Sequence, residues 1–270
     1  VYGVSANVSI SKLFMAGVFP GILLALLFMS YIFIWGLRHP DQNPKASIKL
    51  SFFEKIKASG SLIPVVVLIL AVLGSIYTGI ATATEAAAVG VVGALLIATL
   101  QGDMSRKVFM ESLMGATRMF CMISLILCGA QFLTLAMGYI GLPNALAQWI
   151  ASLGLSQLGL VIVLMIFFII MGCFLDGISL VVLTMGVLLP TVEAAGIDLI
   201  WFGIFLIFVI EMAQITPPVG FNLFVLSGMA KKEITYIAKV SVPMFLIMIV
   251  AVFAIYYFPQ IVLWLPQNIN

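Results

Sequence analysis

Two stretches of this chain are most informative about its architecture: FLDGISLVVLTMGVLLPTVEAAGID (residues 174–198) and ITPPVGFNLFVLSG (residues 215–228). Each sets polar or helix-breaking residues inside a long apolar run: Asp176 to Ser179 in the first and Thr216 to Pro218 in the second. A helix needs about 20 predominantly apolar residues to cross a bilayer, so both interruptions are expected at membrane depth. We predict a re-entrant hairpin followed by a proline-broken helix.

The composition is that of a membrane protein. Of the 270 residues, 64% are hydrophobic and 8% charged, whereas a soluble domain carries about 25% charged residues. The net charge of +2 offers no basic patch for nucleic acid. Cys121, Cys128 and Cys173 lie in apolar runs without C-x-x-C spacing, so we expect packed thiols and neither disulfides nor a zinc site.

Further apolar stretches predict the remaining helices and the orientation of the chain. We expect helices over 13–36, 61–77, 86–98, 105–137 and 240–258, and amphipathic interfacial helices over 51–59 and 144–153. The small residues of 86–94 favour packing against protein. With this topology eleven of the twelve Lys and Arg residues fall on one side, and only Lys12 on the other. The positive-inside rule makes the lysine- and arginine-rich side cytoplasmic.

The fold class expected is therefore an all-α polytopic membrane protein of the elevator-type ion-transporter kind, with inverted repeats. The repeat is faint: 9–27 and 232–250 align with Pro20 opposite Pro243. We predict four parts: 1–60, the end of a first repeat with a cytoplasmic loop and interfacial helix; 61–157, scaffold helices of a second repeat; 158–230, the transport-domain hairpin and broken helix; and 231–270, a C-terminal transmembrane helix.

Three carboxylates lie at membrane depth, where an ionisable group is costly and indicates function. Glu85 follows a Thr-x-Thr break, and its carboxylate either caps the next helix or has a functional role. Asp176 either serves the site or shapes an Asx-type turn. Glu211 precedes the Thr-Pro-Pro break and either contacts a cation or pairs with a neighbouring helix.

A break leaves free carbonyls on one side and free N–H groups on the other, and lipid satisfies neither. Carbonyls at the ends of 158–175 and 199–214, with oxygens of Asp176, Ser179 and Thr216, predict a sodium site. Helices restarting near Ser179 and Pro218 direct their N-termini at the same region, which favours a carboxylate anion. Pro218 suits a first-turn position. The alternative is an ordinary kink and a loop between two full spans.

These two stretches, with ATATEAAAVG (residues 81–90) and VYGVSANVSISKLFMAGVFPG (residues 1–21), resemble the large membrane (permease) subunit of tripartite ATP-independent periplasmic (TRAP) transporters. The resemblance implies a sodium-driven elevator symporter in the bacterial inner membrane, which imports an organic anion such as a C4-dicarboxylate or a sialic acid. Its partners would be a small membrane subunit and a periplasmic binding protein. No enzymatic activity is expected, and no cofactor besides Na⁺ as coupling ion.

The resemblance also implies roles for residues at the two breaks. The sodium ligands would be Asp176, Gly177, Ser179, Ala213, Thr216 and Val219. Substrate would lie beside Ser179, Pro217, Pro218 and Asn222. Family members are longer, with a first hairpin and first sodium site upstream, so we expect this sequence to be the C-terminal part of the subunit. It departs from the family pattern at Ala83, often Pro, and Ala213, often Gly.

Other functions stay open from the residues alone. A related elevator fold coupled to sodium or protons would show the same paired breaks. An intramembrane aspartyl enzyme would need Asp176 and a second carboxylate, for which Glu211 is the nearby candidate, close enough to share a proton. A purely structural scaffold would leave two costly breaks unexplained.

Overall fold

The computed structural model describes residues 1–40, 59–218 and 220–268, and it is helical without strands across these residues. The α-helices are Tyr2–Ser5 (α1), Ile10–Ala16 (α2), Val18–Arg38 (α3), Ile63–Tyr77 (α4), Ala83–Leu100 (α5), Arg106–Tyr139 (α6), Leu142–Ser152 (α7), Gln157–Gly172 (α8), Gly177–Ala194 (α9), Leu199–Gln214 (α10), Phe221–Ala230 (α11), Ile234–Tyr257 (α12) and Gln260–Asn268 (α13).

Several of these helices are long and apolar enough to cross a membrane. Five candidate spans occur in the described residues: Ile10–Arg38, Ala83–Leu100, Arg106–Tyr139, Gly177–Ala194 and Ile234–Tyr257. The prediction of an all-α polytopic membrane protein is confirmed. The interfacial helix predicted over 51–59 falls outside the described residues except at its last position.

The chain divides into two compact units, the described residues of 29–119 forming the smaller one. In it α5 packs on α4 through small residues. Ala86 is fully buried, and a Cβ added at Gly90 would lie 3.4 Å from Val72 Cγ2. A Cβ added at Gly93 would collide with the Leu68 side chain. Ala86, Gly90 and Gly93 therefore pack on α4, whereas Ala87, Ala88 and Ala94 are exposed, so the predicted packing against protein is present on one side of this stretch.

The larger unit comprises 1–28 and the described residues of 120–268, and α10 forms its centre. Helices α2, α8, α9, α12 and α13 all contact α10, as expected for a helix that is apolar on every side. Asp198 begins α10 by accepting hydrogen bonds from the N–H groups of Ile200 (2.8 Å) and Trp201 (3.0 Å). Trp201 Nε1 donates to the Ile255 carbonyl at 2.9 Å and so ties α10 to α12.

The cysteine prediction is correct in part. All three thiols are free, and Cys173 is buried. Cys121 and Cys128, in contrast, are exposed on α6, so the expectation of packed thiols is wrong for both. An apolar neighbourhood in sequence does not separate a core-facing position from one on the outer face of a membrane helix, because both faces are apolar.

We predict that Phe205→Ala lowers the stability of the larger unit and that Phe132→Ala does not. Phe205 is 0% exposed in the core and Phe132 is 77% exposed, so only the first substitution leaves a cavity, at a cost of about 3 kcal/mol. The thermal unfolding midpoint of each purified variant in detergent is the measurement. Equal midpoints for the two variants would contradict the packing described.

Candidate functional site: the hairpin tip and the broken helix

The tip of the α8–α9 hairpin is organised by Asp176. Helix α8 ends at Gly172 and α9 begins at Gly177, so the non-helical turn is Cys173–Asp176. Asp176 Oδ2 accepts from the backbone N–H groups of Ile178 and Ser179, each at 3.1 Å, and Oδ1 accepts from the Ser179 hydroxyl. We predicted the interruption over Asp176 to Ser179, but the turn lies a few residues earlier. The reason is that the Asp176 carboxylate caps the helix, so α9 begins directly after it.

The second break lies between α10 and α11. Helix α10 ends at Gln214, where the Thr216 hydroxyl donates to the Met212 carbonyl at 2.7 Å and the Thr216 N–H donates to the Ala213 carbonyl at 3.1 Å. A cis peptide bond joins Pro217 and Pro218. Val219, a predicted sodium ligand, lies outside the described residues.

The restart of the broken helix differs from the prediction. Pro218 was expected in the first turn, but α11 begins at Phe221, after Gly220 as N-cap with φ +51°. This left-handed conformation suits glycine. A Cβ at Gly220 would also lie 2.9 Å from the Thr216 carbonyl oxygen and 3.0 Å from that of Gln214. The two prolines therefore belong to the connection between the helices.

Small residues bring the tip and the break together. A Cβ added at Gly172 would lie 2.6 Å from the Cβ of Ala213. One added at Gly177 would lie 2.7 Å from Ile210 Cγ2 and 3.2 Å from Gln214 Nε2. At both positions the backbone of the hairpin therefore lies close to the C-terminal part of α10, because no side chain of the hairpin separates them. The predicted juxtaposition of the two interruptions is present in the structure.

The oxygens available at this junction are mostly carbonyls and hydroxyls. The carbonyl oxygens of Gln214 and Thr216 both approach Gly220, and the carbonyl of Ala213 and the hydroxyl of Thr216 each retain acceptor capacity beyond the bonds above. No group of three or more His, Cys, Asp or Glu side chains that could hold a metal occurs in the described ranges. This set of oxygen donors fits a hard cation better than a transition metal that prefers nitrogen or sulfur ligands.

The N–H groups at the two helix starts are not equally available. At α9 the carboxylate of Asp176 already accepts from Ile178 and Ser179. At α11 the N-cap Gly220 offers no side-chain acceptor, so the positive end of this helix has no neutralising cap from that residue. Pro217 and Pro218 are exposed and Asn222 is half-buried beside this uncapped start. The first N–H groups of α9 are therefore occupied by its cap, whereas the cap residue of α11 occupies none.

The other two membrane-depth carboxylates have separate partners. Glu85 completes a capping box at the start of α5: its Oε2 accepts from the N–H and hydroxyl of Thr82, each at 2.8 Å. This is the structural alternative of the sequence analysis. Glu211 Oε2 accepts from Asn222 Nδ2 at 3.3 Å. Asp176 and Glu211 therefore bond to different groups rather than to each other.

Sequence reasoning missed three features of this junction: the contact of Gly172 with Ala213, the left-handed Gly220 and the pairing of Glu211 with Asn222. Glycines inside an apolar run were the available signal for the first two, since a glycine there often marks close approach of backbones.

Comparison with known proteins assigns this sequence to a family. The family model described as "Tripartite ATP-independent periplasmic transporter, DctM component" matches residues 1–261. The C4-dicarboxylate TRAP transporter large permease protein DctM of Pseudomonas aeruginosa is 31% identical over 99% of this chain.

Two further relatives have other substrates in their names. The sialic acid TRAP transporter large permease protein SiaM of Vibrio cholerae is 30% identical over 99% of this chain. The 2,3-diketo-L-gulonate TRAP transporter large permease protein YiaN of Escherichia coli is 30% identical over 100%. The chain spans 62% of the length of the Pseudomonas and Vibrio proteins and 63% of the Escherichia protein.

We predict that Gly172→Ala destabilises the junction and that adding Ala213→Gly restores it. The first change inserts a methyl group where the Ala213 Cβ already lies, which costs about 2 kcal/mol by overpacking, and the second removes that Cβ. Gly129→Ala on α6 is the matched control, because nothing lies within 4 Å of a Cβ there. Thermal unfolding midpoints test this, and an unrestored midpoint in the double variant would contradict the contact.

Proposed function

The chain belongs to the DctM component family of the tripartite ATP-independent periplasmic transporters, and from this we propose that it is the transmembrane subunit of a sodium-coupled importer of an organic acid anion. It is a multi-pass protein of the bacterial inner membrane, as its apolar helices and its family indicate. The relatives are transporter permease subunits. The chain acts by moving a solute and not by enzymatic chemistry.

The charge of the hairpin and broken helix supports coupling to a cation. Residues 158–230 contain no Lys or Arg, and Asp176 places a carboxylate at the hairpin tip. Glu193 and Asp198 follow at the opposite end of α9, about 25 Å away along the helix, and do not contribute to the charge at the junction. An organic anion that approaches this segment meets negative charge in a medium of low dielectric, which raises the free energy of the complex. A cation bound at the same junction offsets that repulsion. Binding of the anion therefore depends on binding of the cation.

The sodium site is assigned to the junction of the tip and the break. Thr216 supplies its hydroxyl and Ala213 its carbonyl, both at the end of α10. By the resemblance of the motif, the carbonyl of Val219 and the tip residues Asp176, Gly177 and Ser179 complete the set. Asp176 contributes its negative charge while its carboxylate caps α9.

The anion site is assigned to the uncapped start of α11. The N–H groups of Phe221 and Asn222 and the Asn222 amide face a substrate carboxylate or hydroxyl, and Pro217 and Pro218 provide an apolar wall. Ser179 approaches from the hairpin. Segment 158–230 then carries both ligands across the membrane as an elevator, against scaffold helices of 61–157.

The substrate is an organic acid of the kind named for the relatives, which include C4-dicarboxylate, sialic acid and 2,3-diketo-L-gulonate permeases. A periplasmic binding protein delivers it, and a small membrane subunit accompanies this chain. The observation that carries the proposal is the junction itself, where an oxygen-rich helix end and an uncapped helix start lie side by side.

Uptake into proteoliposomes tests the proposal. The complete transporter is reconstituted with its small subunit, the cognate binding protein is added outside, and labelled succinate, N-acetylneuraminate and 2,3-diketo-L-gulonate are supplied in turn. We expect uptake of one of them only with binding protein and an inward sodium gradient. Uptake driven equally well by a proton gradient without sodium would overturn the sodium assignment.

We predict that Thr216→Ala raises the sodium concentration for half-maximal uptake about tenfold, the effect of losing roughly 1.4 kcal/mol of ligand interaction. Thr216→Ser keeps the hydroxyl and should stay near wild type. Thr117→Ala is the matched control, because the Thr117 hydroxyl makes the same intrahelical bond, to the Leu113 carbonyl at 2.8 Å. An unchanged sodium dependence in Thr216→Ala would remove Thr216 from the site.

A further inference from the structure

The hydrogen bond from Asn222 Nδ2 to Glu211 Oε2, 3.3 Å long, joins the two halves of the broken helix. Glu211 lies in the last turn of α10 and Asn222 in the first turn of α11. The donor is an amide and the acceptor a carboxylate, so the bond is charge-assisted, and it is long and formed by an exposed Glu211 side chain. In the described part of the chain, Glu211 has no ion-pair partner. Its bond with Asn222 therefore has no competing cation there.

Helix α11 packs on α12 and contacts α10, but its first turn has few restraints of its own. Its N-cap Gly220 makes no side-chain cap, and Leu223 is the one residue of α11 that is buried. In the connection between α10 and α11, Ile215 to Pro218, and Gly220, lie in no regular helix. A contact that crosses this connection therefore has a large effect on where the first turn of α11, including Asn222, is held.

The same bond fixes which way the Asn222 amide faces. An asparagine side chain offers two N–H donors at one end and a carbonyl oxygen at the other. When one N–H is committed to Glu211, the nitrogen end is turned toward α10. The carbonyl oxygen and the second N–H then have defined directions.

We infer that Glu211 is a positioning residue for the anion site: it holds Asn222 in the orientation that recognises substrate without itself touching the substrate. This inference rests on the proposed function, in which Asn222 binds the anion. It accounts for the presence of a carboxylate near an anion site that has no Lys or Arg, since the negative charge is directed at an amide donor.

Uptake kinetics in the complete transporter test the inference, with labelled succinate, N-acetylneuraminate or 2,3-diketo-L-gulonate, whichever the wild type imports. Glu211→Ala is expected to raise KM about fivefold, the effect of losing one hydrogen bond of roughly 1 kcal/mol, with maximal rate and sodium dependence near wild type. Glu211→Gln retains a carbonyl acceptor and should restore KM to within about twofold. Glu193→Ala, which removes a carboxylate of the hairpin outside the junction, is the matched control.

The double variant Glu211→Ala/Asn222→Ala separates positioning from an independent effect. If Glu211 acts through Asn222, the double variant has the KM of Asn222→Ala alone, because the two changes are coupled. Multiplied effects of the two single variants would overturn the inference, as would a wild-type KM in Glu211→Ala. Unfolding midpoints of the same variants are recorded alongside. A lower midpoint in Glu211→Ala with no change in KM would assign Glu211 a structural role and would overturn the inference too.

The wild-type control distinguishes this inference from the function on which it rests. Absence of sodium-dependent uptake by the wild type would overturn the proposed function and the inference together. Uptake by the wild type with an unaltered KM in Glu211→Ala would overturn the inference alone.

Discussion

The absence of water in the hydrocarbon core is the constraint on which the rest of this structure depends. A backbone group exposed to lipid costs several kcal/mol, so each interruption of a helix must be satisfied by the chain itself. Asp176 does so for the start of α9, and the Thr216 hydroxyl donates to a carbonyl of the last turn of α10. The remaining oxygens and the uncapped start of α11 are thereby concentrated at one junction.

The ends of a helix could be predicted wherever the sequence carries a local capping or helix-breaking signal. The prediction for 199–214 agrees with α10 at both ends, because Asp198 is a capping residue and Thr-Pro-Pro stops a helix. The tip of the hairpin was placed a few residues late, since a carboxylate in a Gly-containing stretch fits both an extended interruption and a cap. The start of α11 was misplaced because the left-handed Gly220, rather than Pro218, begins that helix.

The site was predictable as a region and less so in its contacts. Two adjacent breaks and the costly carboxylates near them pointed to residues 176–179 and 211–222, and the structure brings these segments together. Neither the Gly172–Ala213 approach nor the Glu211–Asn222 bond could be read from spacing, because both depend on how separate elements pack. The capping role of Glu85, in contrast, could be predicted from the sequence, because both partners of the capping box lie within one helical turn.

The contact between Gly172 and Ala213 has a consequence for how this protein can vary through evolution. The backbones of α8 and α10 approach so closely there that the two positions share room for a single methyl group. A methyl group at position 172 requires its loss at position 213 and a shift of the Leu180 side chain, whose Cδ2 lies 3.1 Å from the added Cβ, so changes at the two positions are expected to be coupled among descendants of this sequence. Because Ala213 is also at the junction, a change in the hairpin sequence also affects the geometry of the region to which we assign the sodium site.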